Sequence, residues 1–123
     1  MATLNDRVFD NGLTVLDTEA NKITICSAEP TTYTQANATL ALGSSTSLSI
    51  GAPAARSGGG RQVTVAAITD GSVTATGTAT HYAIVDTVNS RLLATGSLTT
   101  SQAVTSGNTF TLTSTTIGIP APV

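Results

Sequence analysis

Residues that could carry out chemistry are few and far apart in this chain. The single histidine, His81, stands five residues before Asp86, and serines are abundant, so a Ser-His-Asp hydrolase site is the first arrangement to consider. Both residues lie in one predicted strand at an odd separation, which directs their side chains to opposite faces of the sheet. The strand therefore excludes a direct His81–Asp86 pair. We expect His81 to bond a backbone carbonyl or a threonine of a neighbouring strand.

Thiol and metal chemistry are not indicated either. Cys26 is the only cysteine, so the chain can form neither an internal disulfide nor a cluster of thiolate ligands. It follows a short β-branched segment with no histidine nearby in the sequence, which favours a buried thiol over a nucleophile. Asp17 and Glu29 have no carboxylate partner at hydrolase-like spacing. We predict no catalytic residues, no cofactor and no metal site, and hence a protein that is not an enzyme.

A glycine triplet, Gly58-Gly59-Gly60, precedes Arg61 and invites comparison with phosphate-binding loops. Those loops follow a strand and open a helix, whereas a strand is predicted directly after this triplet. Glycine also loses the most conformational freedom when it is ordered. The triplet therefore predicts a mobile hinge.

Length and composition favour one β-rich domain over residues 1–123. The chain has 123 residues and a net charge of -2, and only 10% of its residues are charged, without a run of either sign. This pattern argues against nucleic acid or an anionic membrane as a partner. Twenty-five threonines and twelve serines fill the polar positions, which favours strands. No apolar run approaches the ~20 residues of a membrane helix, and no secretory signal is recognisable.

The N-terminal segment 1–20 predicts an amphipathic helix or arm. Its apolar residues recur at helical spacing, Thr3 or Asn5 is suited to cap the helix, and Asn21 is suited to end it in the left-handed conformation. Gly12 weakens the helix by about 1 kcal/mol relative to alanine. The apolar stripe needs a partner, which is either the chain's own sheet or another subunit.

Residues 36–60 predict an irregular arm or loop, because glycine and proline interrupt short polar stretches there. Its apolar residues alternate in two pairs, which is typical of short edge strands or of an arm packed on a neighbour. The candidate partner-contact residues combine these pairs with the helical stripe: Leu4, Val8, Phe9, Leu13, Leu16, Leu40, Leu42, Leu48 and Ile50.

Residues 61–119 predict the main antiparallel sheet, because apolar and polar residues alternate through most of this range. We expect turns at Asp70-Gly71, Asn89-Ser90 and Ser106–Asn108, and a strand end at Gly96. The predicted fold class is mainly β: an antiparallel β-sandwich or small barrel-like domain with one N-terminal amphipathic helix.

Three stretches of the second half also carry a family resemblance. They read GTATHYAIVD over residues 77–86, LLATGSLT over 92–99 and VTSGNT over 104–109. Their order and spacing resemble a β module of head and tail accessory proteins of tailed bacteriophages, especially phages of alphaproteobacteria, with the pattern THxxLxD, LLAxGxLT and VxxGDT. Asn108 stands where that pattern has an acidic residue. The resemblance extends to Leu4–Arg7, Val15–Ala20 and Ile25–Tyr33, and leaves out 36–60.

The resemblance implies a virion structural protein. The expected role is capsid decoration, in which a cement protein binds across capsomer junctions on the head surface, with the major capsid protein and copies of itself as partners. A homo-oligomer on the virion, assembled in the host bacterial cytoplasm, is the expected form. One alternative is a tail, neck or fibre component. Another is a receptor- or carbohydrate-binding module, against which the aromatic content of 3% and the lack of tryptophan argue.

Overall fold

The computed structural model describes residues 5–120, and Leu4 lies outside them. Its helix and strands are, in chain order, α1 (Asp6–Glu19), β1 (Lys22–Cys26), a π-helical turn (Gln35–Thr39), β2 (Ala41–Ser45), β3 (Ala54–Ala55), β4 (Arg61–Val65), β5 (Ile68–Val73), β6 (Gly77–Asp86), β7 (Arg91–Val104), β8 (Thr109–Leu112) and β9 (Thr115–Ile119). The mainly β fold with one N-terminal helix is confirmed.

Backbone contacts divide the chain into two compact units. The smaller unit draws on Met1–Glu19, Ser49–Ala67 and Thr113–Val123, and the larger on Ala20–Leu48 and Ile68–Leu112. Each unit combines segments that are distant in the sequence, so neither could be cut out as one continuous piece. The single domain expected over 1–123 stays a prediction.

In the smaller unit, α1 packs on a three-stranded antiparallel sheet of order β3-β4-β9. The side chain of Asn5 accepts a hydrogen bond from the backbone N–H of Arg7 at 2.8 Å, which confirms the predicted N-cap and explains why the helix begins at Asp6. Phe9, Leu13 and Leu16 are buried. Three residues of the apolar stripe are thus buried where the helix packs on this sheet, whereas Val8 is exposed.

Replacing Gly12 with alanine is expected to stabilise the smaller unit by about 1 kcal/mol, the difference in helix propensity between the two residues. A methyl group at this position would lie 3.5 Å from the Cδ1 atom of Ile119, an ordinary van der Waals contact. Urea unfolding followed by circular dichroism at 222 nm measures the change. A lower stability of Gly12→Ala would show that the helix and β9 approach too closely for a methyl group.

The larger unit is a six-stranded antiparallel sheet of order β7-β6-β1-β2-β5-β8, which curls into a half-barrel. Strand β1 lies between β6 and β2, with Ile23 opposite Ile84 on β6 and opposite Ser45 on β2. Ile23, Ile25 and Ile84 are all buried. The short strand β1 thus lies at the centre of the sheet, as its β-branched residues favour.

The sheets are assembled differently from the prediction for residues 36–60 and 61–119. Strands β4 and β9 belong to the smaller sheet, and β1 and β2 are inner strands of the larger one. Residues 36–60 are not one irregular arm, since they contain most of the π-helical turn, β2 and β3. Strand β2 has the sequence ALGSS, in which only Leu42 is a large apolar residue. Its position depends on backbone pairing with β1 and β5, which apolar periodicity does not record.

Two of the predicted turns are confirmed. Asn89-Ser90 lies in the turn between β6 and β7, where Ser90 has a φ of 55°. The turn at Ser106–Asn108 joins β7 to β8, and Gly107 has a φ of 92°. Glycine adopts this left-handed conformation without steric cost. Gly58, Gly59 and Gly60 also have positive φ and lie in a turn, while the mobility of this segment stays a prediction.

Two expected strand breaks were wrong. Strand β5 continues through Asp70-Gly71, and β7 continues through Gly96. Each glycine lies opposite an aromatic residue, Gly71 opposite Phe110 and Gly96 opposite Tyr82, and a Cβ atom on either glycine would collide with that ring. These glycines are therefore explained by packing within a strand rather than by a turn. The left-handed exit expected at Asn21 is also wrong, since Asn21 has no positive φ.

The buried Asp86 holds the turn between β6 and β7. Its carboxylate accepts hydrogen bonds from the backbone N–H groups of Val88 at 3.0 Å and Asn89 at 3.3 Å, and from the Asn89 side chain at 2.8 Å. The Asn89 side-chain bond lowers the pKa of Asp86 most, burial opposes the shift, and the two backbone N–H groups and Arg91 lower it further. The folded state therefore favours the charged carboxylate.

Replacing Asp86 with asparagine is expected to lower the urea midpoint at pH 7, because one oxygen becomes a second NH₂ donor facing the donors of the turn. Folding lowers the pKa of Asp86, so the charged carboxylate stabilises the folded state. This stabilisation is complete above the unfolded-state pKa of about 3.9 and is lost as the pH falls through the lower folded-state pKa. The difference between wild type and Asp86→Asn should therefore shrink in acid. A difference that stays the same at pH 2 as at pH 7 would rule out the charge as its cause.

Candidate functional site

His81 bonds two hydroxyl groups. Thr80 Oγ1 donates to the carbonyl of Ser27 at 3.0 Å, so the hydrogen bond of 2.9 Å between Thr80 Oγ1 and His81 Nδ1 has the imidazole as its donor. In the neutral imidazole with its proton on Nδ1, the Nε2 atom accepts from Ser97 Oγ, which lies at 3.4 Å. Ser97 lies opposite His81 on β7. The expected partner was a carbonyl or a cross-strand threonine, whereas the structure shows a threonine of the same strand and a cross-strand serine.

Cys26 is fully buried, as expected. It packs with Ala36, Ala83 and Val85 in a small core cluster, and burial raises the pKa of its thiol. Its sulfur lies 3.8 Å from the carbonyl oxygen of Ala36. The neutral thiol is thus favoured, which disfavours both nucleophilic attack and metal ligation.

The candidate contact residues differ in exposure. Val8 is 55% exposed. Leu40 and Leu48 are partly buried. Five others are buried: Phe9, Leu13, Leu16, Leu42 and Ile50. Leu4 lies outside the described residues. Of the eight that can be placed, Val8 is therefore the one available on the surface without rearrangement.

A polar surface depression of the larger unit brings together residues that are far apart in the sequence. It encloses about 240 Å³ and is lined by Ser44, Ser45, Thr46, Ser47, Asp70 and Ser72. We call it the Asp70 pocket. All six side chains carry oxygen, and Asp70 is the only acidic residue among them.

A β-bulge places Asp70 in this pocket. Strand β5 pairs with β8 through Ile68 opposite Leu112 and Gly71 opposite Phe110, so two residues of β5 face one residue of β8. A bulge of this kind bends the strand and re-aims its side chains. The Asp70 carboxylate accepts hydrogen bonds from Ser47 Oγ at 3.0 Å and from Ser45 Oγ at 3.4 Å.

The two serines fix the orientation of the carboxylate. Ser45 is buried, and its Oγ accepts the backbone N–H of Ser47 at 3.1 Å while its own hydroxyl points to Asp70 Oδ1. Ser47 bonds the other oxygen, Oδ2. Each carboxylate oxygen has two acceptor positions, so each retains one after bonding its serine. The pocket therefore presents an oriented anionic acceptor with hydroxyl groups around it.

The oxygen atoms that line the Asp70 pocket suit an organic cation better than a metal ion. Calcium takes six to eight oxygen ligands, usually including several carboxylates. Within residues 5–120, no group of three or more His, Cys, Asp or Glu side chains could hold a metal ion. A single carboxylate with hydroxyl neighbours matches the hydrogen-bond donors of an ammonium or guanidinium group.

The sequence does not predict this pocket, because its two parts have the composition of other structures. Asp70-Gly71 is typical of a hairpin turn, and Ser44–Ser47 of an irregular arm. The run of hydroxyl residues after Gly43 is a signal that was available in the sequence. Asp70 lies more than 20 residues further along the chain, and only the pairing of β2 with β5 brings it close to this run.

Comparisons with known proteins yield no relative. No protein-family model, no curated protein and no solved structure matches the chain. Within the part of the chain described, no helix is both long and apolar enough to span a bilayer.

Proposed function

We propose that this chain is a bacteriophage virion structural protein and that it decorates the capsid as a cement protein. Such a protein binds across junctions between capsomers and stabilises the shell by mass action, because each bound copy favours the assembled state. No reaction is needed. The partners in this proposal are the major capsid protein and further copies of the chain.

The resembling motifs occupy consecutive elements of the larger unit. Residues 77–86 form strand β6, residues 92–99 lie in its neighbour β7, and residues 104–109 include the turn from β7 to β8. Residues 77–86 and 92–99 thus lie on paired antiparallel neighbours, and residues 104–109 lead from them to β8, which pairs with β5 at the opposite edge of the sheet. This supports the resemblance to the phage β module as a resemblance of a structural unit.

The observation that carries the proposal is the polar and sparsely charged β7 edge of the larger sheet. Strand β7 lies at that edge and has one charged residue, Arg91, among its 14 residues. Natural edge strands are commonly protected by charged residues, and an edge with so few of them can approach another protein with little desolvation of charge. A surface of this kind suits permanent attachment in a protein lattice.

A large bulge in β7 exposes part of this edge. Ala79 and His81 of β6 face Gln102 and Ser97 of β7, so four residues of β7, Leu98–Ser101, stand opposite Thr80 alone. Three of the four, Thr99, Thr100 and Ser101, are exposed hydroxyl residues. The bulge interrupts the ladder and hinders simple extension of the sheet. We therefore place the contact on the exposed side chains of the bulge.

Immunogold labelling of purified virions of the encoding phage tests the proposal. Antibodies against the purified chain should decorate the head surface in many copies, and heads that lack the chain should lose DNA at lower temperature than complete heads. Label restricted to tails would replace the decoration role with the tail, neck or fibre alternative. A chain that is absent from purified virions would contradict both.

A further inference from the structure

The Asp70 pocket has a geometry that neither the motifs nor the proposed decoration role explains. The depression encloses about 240 Å³, and its only charged lining residue is Asp70. Two of its lining residues, Ser44 and Ser72, lie opposite each other on β2 and β5. An acceptor site of this kind suits a ligand that donates hydrogen bonds and carries positive charge.

We propose that the Asp70 pocket binds the guanidinium group of an arginine side chain from a neighbouring protein. Ser45 and Ser47 bond one carboxylate oxygen each and leave one acceptor position on each oxygen. A guanidinium group donates two parallel N–H bonds to such a pair of oxygens. Its remaining N–H groups are left for the surrounding serine and threonine hydroxyls. That the neighbour is a virion protein rests on the proposed function, whereas the recognition chemistry does not.

Guanidinium fits this site better than ammonium. The flat fork of arginine matches two oxygens whose orientation is already fixed, whereas a lysine ammonium is a compact charge that gains less from a fixed plane. The pocket is also open to solvent, since Thr46, Ser47, Asp70 and Ser72 are exposed. Solvent screens an exposed ion pair. Binding of an isolated arginine compound is therefore weak, and directional hydrogen bonds decide its selectivity.

The test titrates N-acetyl-arginine methylamide into the ¹⁵N-labelled full chain and follows backbone amide shifts. We expect saturable shifts confined to Ser44–Ser47 and Asp70–Ser72. The neutral isostere N-acetyl-citrulline methylamide should bind at least about fivefold more weakly, and the lysine analogue should lie between the two. Equal shifts with the citrulline compound, or shifts spread over the whole surface, would overturn the proposal.

Two variants assign the effect to the carboxylate. Asp70→Asn retains the shape of the side chain and should weaken arginine binding by about fivefold or more. Ser72→Lys places a cation beside the pocket from within the chain and should compete with the added compound. The matched control is Ala28→Lys, which adds the same charge at an exposed residue beyond Cys26, whereas Ser44 and Ser45 pair with Thr24 and Ile23. Unchanged binding in Asp70→Asn, or an equal loss in Ala28→Lys, contradicts the proposal.

The outcome is separable from that of the proposed function. The titration uses purified chain and a small compound, so it reads the pocket whether or not the chain is found on virions. If the pocket binds arginine and the chain is absent from virions, the decoration proposal fails alone. If virions carry the chain and the pocket ignores arginine, the pocket proposal fails alone.

Discussion

Replacing Ile84 with alanine is expected to destabilise the larger unit by about 4 kcal/mol, the largest effect of any single substitution considered for this protein. Ile84 is fully buried on β6 and lies opposite Ile23 on β1 and Ala94 on β7. Removing three of its carbons loses their transfer free energy and leaves a cavity that inner strands cannot readily close. Urea unfolding followed by tyrosine fluorescence measures the loss, since Tyr33 and Tyr82 both belong to the larger unit.

The conservative variant Ile84→Val provides the matched control. It removes one methylene group and keeps the β-branched shape, so the expected loss is about 1 kcal/mol. A similar loss in both variants would indicate that the substitutions act on strand formation and not on a cavity. A loss of stability below about 1 kcal/mol for Ile84→Ala would show that neighbouring side chains of β1 and β6 move to fill the cavity.

Replacing Gly43 with alanine is expected to lower the free energy of unfolding by about 3 kcal/mol, at the upper end of the range for overpacking a protein core. A Cβ atom at this position would lie 2.5 Å from the carbonyl oxygen of Ser72 and 3.1 Å from the Cα atom of Val73. Both are backbone atoms of β5, the strand paired with β2. The collision cannot be relieved by rotating a side chain, so the two strands must separate.

Gly51→Ala is the control for this prediction. The nearest atom to a Cβ at Gly51 is the carbonyl oxygen of Thr64, at 3.8 Å, an ordinary contact. The free energy of unfolding of this variant should therefore differ from that of wild type by no more than about 0.5 kcal/mol. Because Gly51 belongs to the smaller unit, circular dichroism at 222 nm is recorded beside tyrosine fluorescence for both variants. A Gly43→Ala protein as stable as wild type would contradict the close approach of β2 and β5.

The Gly43 substitution also bears on the Asp70 pocket. Separation of β2 from β5 would move Ser44 and Ser45 away from Asp70. A folded Gly43→Ala protein should therefore bind the arginine compound more weakly than wild type, although none of the pocket side chains has changed. Intact binding in such a protein would show that the Ser47 bond alone orients the carboxylate.

Local features were predictable from the sequence because neighbouring residues determine them. The helix with its Asn5 cap follows from apolar spacing and from a side chain that bonds a backbone group two residues away. The turn at Ser106–Asn108 follows from the freedom of Gly107. The β class follows from threonine content and alternation, and the buried state of Cys26 from the β-branched strand that ends with it.

Features that depend on distant partners were decided only in the tertiary structure. Glycine is typical of turns, but Gly71 and Gly96 lie within strands. Aromatic rings on the neighbouring strands leave no room for a side chain at either position. Strand β2, poor in large apolar residues, is held between β1 and β5 by backbone bonds that any sequence can make.

The Asp70 pocket belongs to the same class. A bulge changes which way a side chain points without changing the composition of its strand. The serines and the aspartate meet because antiparallel pairing joins residues more than 20 positions apart, and no pattern within either segment encodes that register. The sequence by itself determined the N-terminal helix, two of the turns and the fold class, whereas long-range strand pairing decided which of its polar residues form a site.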